Sequence, residues 1–426
     1  MPSQPPTPYK AVERAARESY GRLLSYLAWQ WRDIGAAQDA LGDALVKALE
    51  IWPENGIPDS PDAWLLTVAK RQLLQVARHN QVRFDPAVTV LLEQEEHQPD
   101  APAIPDARLK LMFVCAHPAI DAGVRIPLML QTVLGLQVAD MAPALLVSPS
   151  ALAQRLVRAK QKIRDAGIRF EEPELSELPQ RLGYVLESIY GAFGLSLEAI
   201  DGAEVRITDL QDEANYLCRI VCELLPSEPE AQGLLALMTF CGARKAARIN
   251  AAGQFVPLSQ QDMNLWDRDA IVRADQWLWL AAQHKRPGPF QLEAAVQSAH
   301  CHRLFTGSTP WKGIAQLYQQ INDHFPTYGS LVAGAIAMGE AGDVKHALRQ
   351  LEQMDPAVTR NFQPWWVAKG YLLNLDENSS PQIVDAAYQT AIGMTVDQRL
   401  RSHLETVRRD SASRALRTGV RTELLQ

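Results

Sequence analysis

Apolar residues recur at helical spacing through nearly the whole chain. Near the N-terminus Leu23, Leu24, Leu27 and Trp31 form one stripe, and Ala40, Leu41, Ala44, Leu45 and Leu49 form a second. The segment PENGIPDSP, from Pro53, breaks the pattern with turn chemistry at Asn55-Gly56, and DAWLLTVAKRQLLQVARHN resumes as a helix. The sharpest pattern runs from Leu134 to Arg164, LGLQVADMAPALLVSPSALAQRLVRAKQKIR. Two short periodic segments meet there at a tight break, Leu146-Val147-Ser148. Ser148 suits an N-cap, because its hydroxyl can accept from a free backbone N–H of the next turn. Pro149 follows at the first helical position, where its missing N–H costs nothing. Leu152, Leu156 and Ile163 then face inward, while Gln154, Arg155, Arg158, Lys160, Lys162 and Arg164 spread over the outward faces. The pattern predicts an all-α protein.

A short helix, a tight turn and a basic second helix form the layout of a helix-turn-helix. The second helix enters the major groove, its first residues (Ser150, Gln154, Arg155, Arg158) reading bases and its later cations (Lys160, Lys162) holding phosphate. On these residues alone a solvated amphipathic helix reads equally well. The helix after Pro61 carries Lys70, Arg71, Arg78 and His79 near Trp64. Cations beside an exposed ring suit single-stranded nucleic acid, although Trp64 reads as readily as core. Asp39 and Asp43 lie one turn apart near a helix N-terminus, where the dipole favours carboxylates.

Composition narrows the picture. At 426 residues the chain calls for two or three domains, and 47% hydrophobic with 21% charged residues is the balance of a folded soluble protein. No apolar run approaches the roughly 20 residues of a membrane span, and MPSQPPTPYK has no signal-peptide character. Five cysteines without framework spacing fit reduced thiols in the cytoplasm. A formal charge of −7 means that any DNA contact must come from local basic helices or with help from a larger partner.

Candidate chemistry is sparse. Cys115-Ala116-His117 is half a metal site and reads as core, and His300-Cys301-His302 spreads over different helix faces. Cys218 and Cys222, at i and i+4, can share a face, and core packing is preferred there over redox sensing. There is no phosphate-cradling glycine loop, no HExxH and no GxSxG, so no catalytic residue, metal or cofactor is predicted.

Beyond Ile168 a long helix-rich stretch runs to the C-terminus. STPWKGIAQLYQQINDHFPTYGSLVAGAIAMGEAGDVKHALRQLEQMDP reads as three helices, and FQPWWVAKGYLLNLDENSSPQIVDAAYQTAIGMT repeats the style at a spacing near 34 residues. Helix pairs at that spacing are the tetratricopeptide signature, in which neighbours bury each other's faces and leave a concave surface for a ligand or protein. Trp311, Trp365 and Trp366 could line such a groove or fill its core.

LGLQVADMAPALLVSPSALAQRLVRAKQKIR resembles region 4 of the sigma-70 family, and GAAQDALGDALVKALEIWPENGIPDSPDAWLLTVAKRQLLQVARH is similar to region 2. The order of segments, through EPEAQGLLALMTFCGARKAARINAAGQFVPLSQQDMNLWDRDAI, resembles extracytoplasmic-function sigma factors with a C-terminal tetratricopeptide-like domain. The resemblance implies region 2 over 9–84, a linker over 85–104, region 4 over 105–168 and a regulatory helical domain over 169–426. It implies core RNA polymerase as partner, through the β′ clamp and the β flap, with promoter DNA as target and no membrane. Asp39 and Asp43 would then serve the polymerase. Trp64, Lys70, Arg71, Arg78 and His79 would serve the −10 element, and Ser150, Gln154, Arg155, Arg158, Lys160 and Lys162 the −35 element. Three departures should weaken DNA binding: Gln137 is a weak cap, Pro143 falls within the first helix of the pair, and Gln72, Gln75 and Gln81 stand where arginines are common. They leave open a second class of protein, a sigma-like interaction scaffold that does not initiate transcription.

Overall fold

A computed structural model describes residues 8–80, 107–142, 147–170, 177–198 and 205–423, without the side chains of 17–18, 78–80, 195–198, 205–210 and 413–423. Every described element is helical, apart from one isolated antiparallel bridge between Ile249 and Phe255. The chain forms two compact units, one ending at Glu223 and the other beginning at Leu224. Among the described residues no helix is long and apolar enough to cross a membrane.

The first unit holds α1 (Pro8–Glu18), α2 (Tyr20–Trp31), α3 (Ile34–Asn55), α4 (Pro61–Asn80), α5 (Arg108–Cys115), α6 (Ala122–Leu134), α7 (Val138–Met141), α8 (Pro149–Asp165), α9 (Leu178–Glu198) and α10 (Val205–Leu224). Helix α3 starts where Asp33, in extended conformation, accepts from the Ala36 amide at 3.0 Å, and it stops at Gly56 with φ of 85°. Its core face is Ala37, Ala40, Leu41, Ala44, Ala48 and Trp52. Leu45 is half-buried and Leu49 exposed, so the second predicted stripe is core only in its first half. The first stripe, Leu23, Leu24, Leu27 and Trp31, is wholly buried.

The two expected DNA-reading domains pack within this one unit. The expected linker, 85–104, lies outside the described residues, but helices from either side of it meet. Helix α2 packs on α5 and α6, and α3 packs on α8. The approach is close because Gly21 has no side chain: a Cβ there would lie 1.9 Å from the carbonyl oxygen of Val133. Beside it, the ring of the adjacent Tyr20 covers Gly135, which ends α6 with φ of 68°.

Nor does a compact unit begin at 169. Helices α9 and α10 belong with the first unit, tied there by two buried arginines. Arg125 donates to the carbonyls of Ile120 (2.9 Å) and Pro118 (3.2 Å), and its guanidinium lies 4.4 Å from the Tyr184 ring centre. Arg108 pairs with Glu213 and lies 4.7 Å from the Tyr216 ring centre. A buried guanidinium must find acceptors, and these partners lie partly beyond 169.

The second unit holds α11 (Pro229–Ala243), α12 (Arg268–Gln283), α13 (Pro289–Cys301), α14 (Arg303–Thr306), α15 (Trp311–His324), α16 (Tyr328–Glu340), α17 (Val344–Glu352), α18 (Pro356–Thr359), α19 (Gln363–Leu375), α20 (Pro381–Met394) and α21 (Gln398–Glu423), with 3₁₀ turns at Lys245–Ala247, Leu258–Gln260 and Met263–Leu265. From α15 onward the helices stack largely on sequence neighbours, α15 on α16, α16 on α17 and α19, α19 on α20, and α20 on α21. Small residues set the spacing: a Cβ on Gly339 would meet Leu372 at 2.3 Å. Trp365 is core here, packed with Val332, Leu351 and Leu372 and donating to the Leu351 carbonyl at 2.9 Å. Trp366 and Trp311 are half-buried.

Candidate nucleic-acid interface

The predicted short helix and basic helix are both present, as α7 and α8, with most of the connection between them, 143–146, outside the described residues. Helix α7 is a single turn that ends at Met141, and its N-cap residue Gln137 makes no side-chain cap bond. Pro143 itself, at 143–146, lies outside the described residues. Helix α8 begins as its sequence predicts, with Ser148 accepting from the Ala151 amide at 3.3 Å and Pro149 in the first turn. Leu152, Leu156, Ala159 and Ile163 fix it to the unit's core.

The opposite face is in solvent. Ser150, Gln154, Arg155, Arg158 and Lys162 are all exposed, and Arg158 Nε reaches only the Gln154 carbonyl, at 3.3 Å. Val157 stands 62% exposed among them, out of phase with the buried positions. An apolar side chain there can meet a thymine methyl in the major groove. Its helical phase, outside the buried positions, is the sequence signal for it.

Lys160 departs from the expected outward position. It is half-buried, and its ammonium donates to Gln38 Oε1 of α3. Burial pushes its pKa down, partly offset by Cys115 and by the Asp39 carboxylate. One turn further, Arg164 Nη1 lies 3.4 Å from Asp33 Oδ2, the N-cap of α3. Lys160, one turn from Leu156, flanks the buried stripe, and α3 packs on that side, while Arg164 stays mostly exposed.

The α3–α4 pair carries the other predicted residues. Asp39 and Asp43 are exposed, with Asp43 Oδ2 accepting from Gln72 Nε2 at 2.9 Å. Val46 (55% exposed) and Leu49 (41%) continue along the helix. Trp64 is half-buried and meets Trp52 edge-on at 5.5 Å, so its ring is partly committed to packing. The Lys70 ammonium lies 5.1 Å from the Tyr26 ring centre, and Arg71 is exposed. Arg78 and His79 lie in α4, and their side chains fall outside the described residues.

Cys115 is core: it lies 3.6 Å from Thr132 Oγ1, and burial pushes its thiol up to about 12. Cys218 and Cys222 are buried, and desolvation raises the Cys218 thiol well above its ordinary range, which leaves it protonated and unreactive. Among the described residues no three His, Cys, Asp or Glu side chains are grouped to hold a metal ion.

These features define an all-helical protein of two units, with one exposed, capped, basic helix in the first. Over 372 residues the chain is 33% identical to the uncharacterized protein R00370 of Rhizobium meliloti (strain 1021), spanning 86% of this chain and 87% of that protein, and it belongs to the same family. Residues 181–282 match a family of unknown function, DUF6596. No solved structure matches the chain.

Proposed function

We propose that the protein is a cytoplasmic transcription initiation factor of the sigma type, which binds core RNA polymerase and directs it to promoters. The observation that carries this reading is the solvent face of α8. Five polar or cationic side chains project from a helix that is capped, preceded by a short helix and held rigid by its buried face. Ser150, Gln154, Arg155 and Arg158 would read the −35 element, with Lys162 on phosphate. Helix α4, with Arg71 exposed, would serve the −10 element. On α3, Asp39, Asp43, Val46 and Leu49 offer an acidic and apolar face to the polymerase clamp. The stacked helices from α15 onward fit a tetratricopeptide-like regulatory region.

The packed first unit is, on this reading, a resting form. The −35 and −10 elements lie about 25 base pairs apart, roughly 85 Å at 3.4 Å per step. Helices α4 and α8 both pack on α3, whose 22 residues span about 33 Å at 1.5 Å per residue, so their contacts with it lie far closer together than 85 Å. One molecule cannot then read both elements until α8 leaves α3, freeing Lys160 and Arg164. A second reading, a scaffold that never initiates, draws on the same contact, since α8 spends two of its cations on α3.

Run-off transcription with purified core polymerase, on the gene's upstream region and a set of genomic fragments, decides between them. Defined start sites establish the initiation factor. Polymerase binding without transcripts marks a factor held closed. Absence of polymerase binding rejects the proposal in favour of the scaffold.

A further inference from the structure

Two arginines of the second unit, Arg244 buried and Arg303 half-buried, lie against one buried tryptophan without an acid partner. Arg244, just after α11, is only 7% exposed. Its Nη2 donates to Gln297 Oε1, and its guanidinium lies 5.9 Å from the Trp266 ring centre. Arg303 lies 5.3 Å from the same ring centre. Its two terminal nitrogens donate to the carbonyls of Ser259 (2.9 Å), Leu258 (3.0 Å) and Gln261 (3.4 Å). Among the described residues neither arginine has a carboxylate within ion-pair distance, and three donors of the cluster have no acceptor: Arg244 Nη1, Arg303 Nε and Trp266 Nε1.

The surrounding groups do not supply the missing negative charge. Asp275 is engaged by Ser298 Oγ at 2.6 Å and His302 Nε2 at 3.6 Å. Burial keeps the Cys241 and Cys301 thiols protonated, Cys241 despite the neighbouring Arg244, and among the described residues Glu293 makes no ion pair with either arginine. Buried charges in folded proteins are paired, and buried N–H groups find acceptors. Here two like charges lie near one indole whose N–H, like Arg244 Nη1, has no acceptor, and an anion with several oxygens would satisfy both donors and the charge. Guanidiniums match phosphate in geometry as well as charge, and two of them match a dianion better than a carboxylate.

We propose that Arg244, Arg303 and Trp266 form a binding site for a dianionic phosphate, either inorganic phosphate or the terminal phosphate of a small molecule. Arg244 Nη1 and the Trp266 N–H donate to its oxygens, and Arg303 adds charge while holding the 3₁₀ strap of 258–265 over the site. This assignment is independent of the reading of the first unit as DNA-binding.

Thermal denaturation and isothermal titration of the full chain test it, with sodium phosphate, phenyl phosphate and acetate at matched ionic strength. Wild type should gain stability saturably with phosphate. Tighter binding of phenyl phosphate assigns the site to a phosphorylated small molecule, and equal or weaker binding assigns it to phosphate itself. R244Q should bind at least about tenfold more weakly, the value of one charge-assisted hydrogen bond. W266F, which keeps the ring and removes only the N–H, should weaken binding severalfold, while R273Q on the exposed face of α12 should match wild type. Absence of a saturable phosphate effect in wild type overturns the assignment, as does an equal response to acetate or unchanged binding by W266F. If R244Q does not fold, the wild-type and W266F titrations decide alone.

Discussion

Gly21 of α2 meets the main chain of Val133 so closely that a Cβ would lie 1.9 Å from its carbonyl oxygen. Backbone cannot give way as a flexible side chain does, so this contact admits only glycine. It joins the segment resembling region 2 to the one resembling region 4, and it gives the packed first unit a single point of failure. G21A should therefore separate α2 from α6, at a cost of about 1–3 kcal/mol for overpacking, or more where the backbone must shift. Hydrogen exchange over 122–134 should rise and the radius of gyration should grow in small-angle scattering. Unchanged protection and radius would show that α2 and α6 do not hold the unit shut.

Asp33 serves two helices, capping α3 through the Ala36 amide and meeting Arg164 of α8. Its replacement by Ala should cost about 1 kcal/mol for the lost cap. R164A should cost less than about 1 kcal/mol, because that guanidinium is 54% exposed and screened. A double-mutant cycle by chemical denaturation separates the two terms, and a coupling near zero would mean that the ion pair adds nothing to the closed form.

The exposed and covered cations of α8 should behave differently on promoter DNA. R155A and R158A should each weaken binding by about 1–3 kcal/mol where a base contact is lost. K162A should weaken binding to all sequences and lower the salt-dependence slope by about one. If α8 stays packed on α3 when DNA binds, K160A should leave both affinity and salt slope unchanged. A full phosphate-contact effect for Lys160 would instead show that α8 leaves α3 in the complex. Fluorescence anisotropy across a salt series reads all four variants.

His300 makes the second unit acid-sensitive. Burial first, then the charges of Arg244 and Arg303, hold its pKa down at about 4, against an ordinary 6.5. The unfolded chain therefore binds a proton between those values that the folded chain refuses. Stability from neutral His300 is fully present above pH 6.5 and is lost as pH falls toward 4, by about 2–3 kcal/mol at the lower end. H300F, which keeps the aromatic edge against Trp311, should flatten that part of the stability curve. Denaturant midpoints at pH 7, 5.5 and 4.5 provide the comparison, and an equal acid loss in the variant would place the sensitivity elsewhere.

Much of the local structure was written in the chain itself. Ser148 and Pro149 announce the start of α8, and Leu152, Leu156 and Ile163 announce its buried face, because capping and helical phase depend only on neighbours within a turn or two. The all-helical class and the stacked helices around Trp311 and Trp365 follow from the same local periodicity. Tertiary structure alone decided which outward residues are free. Lys160 stands one turn from Leu156 at the edge of the buried stripe, and the arrival of α3, more than a hundred residues earlier in the chain, covers it and engages Arg164, which stays mostly exposed. The same is true of the boundary near 169, erased by Arg108 and Arg125 reaching Glu213 and Tyr184, and of Arg244 and Arg303 converging on Trp266. Sequence periodicity reports how a helix meets its own neighbours, whereas burial of a charge is set by whichever distant element packs against it.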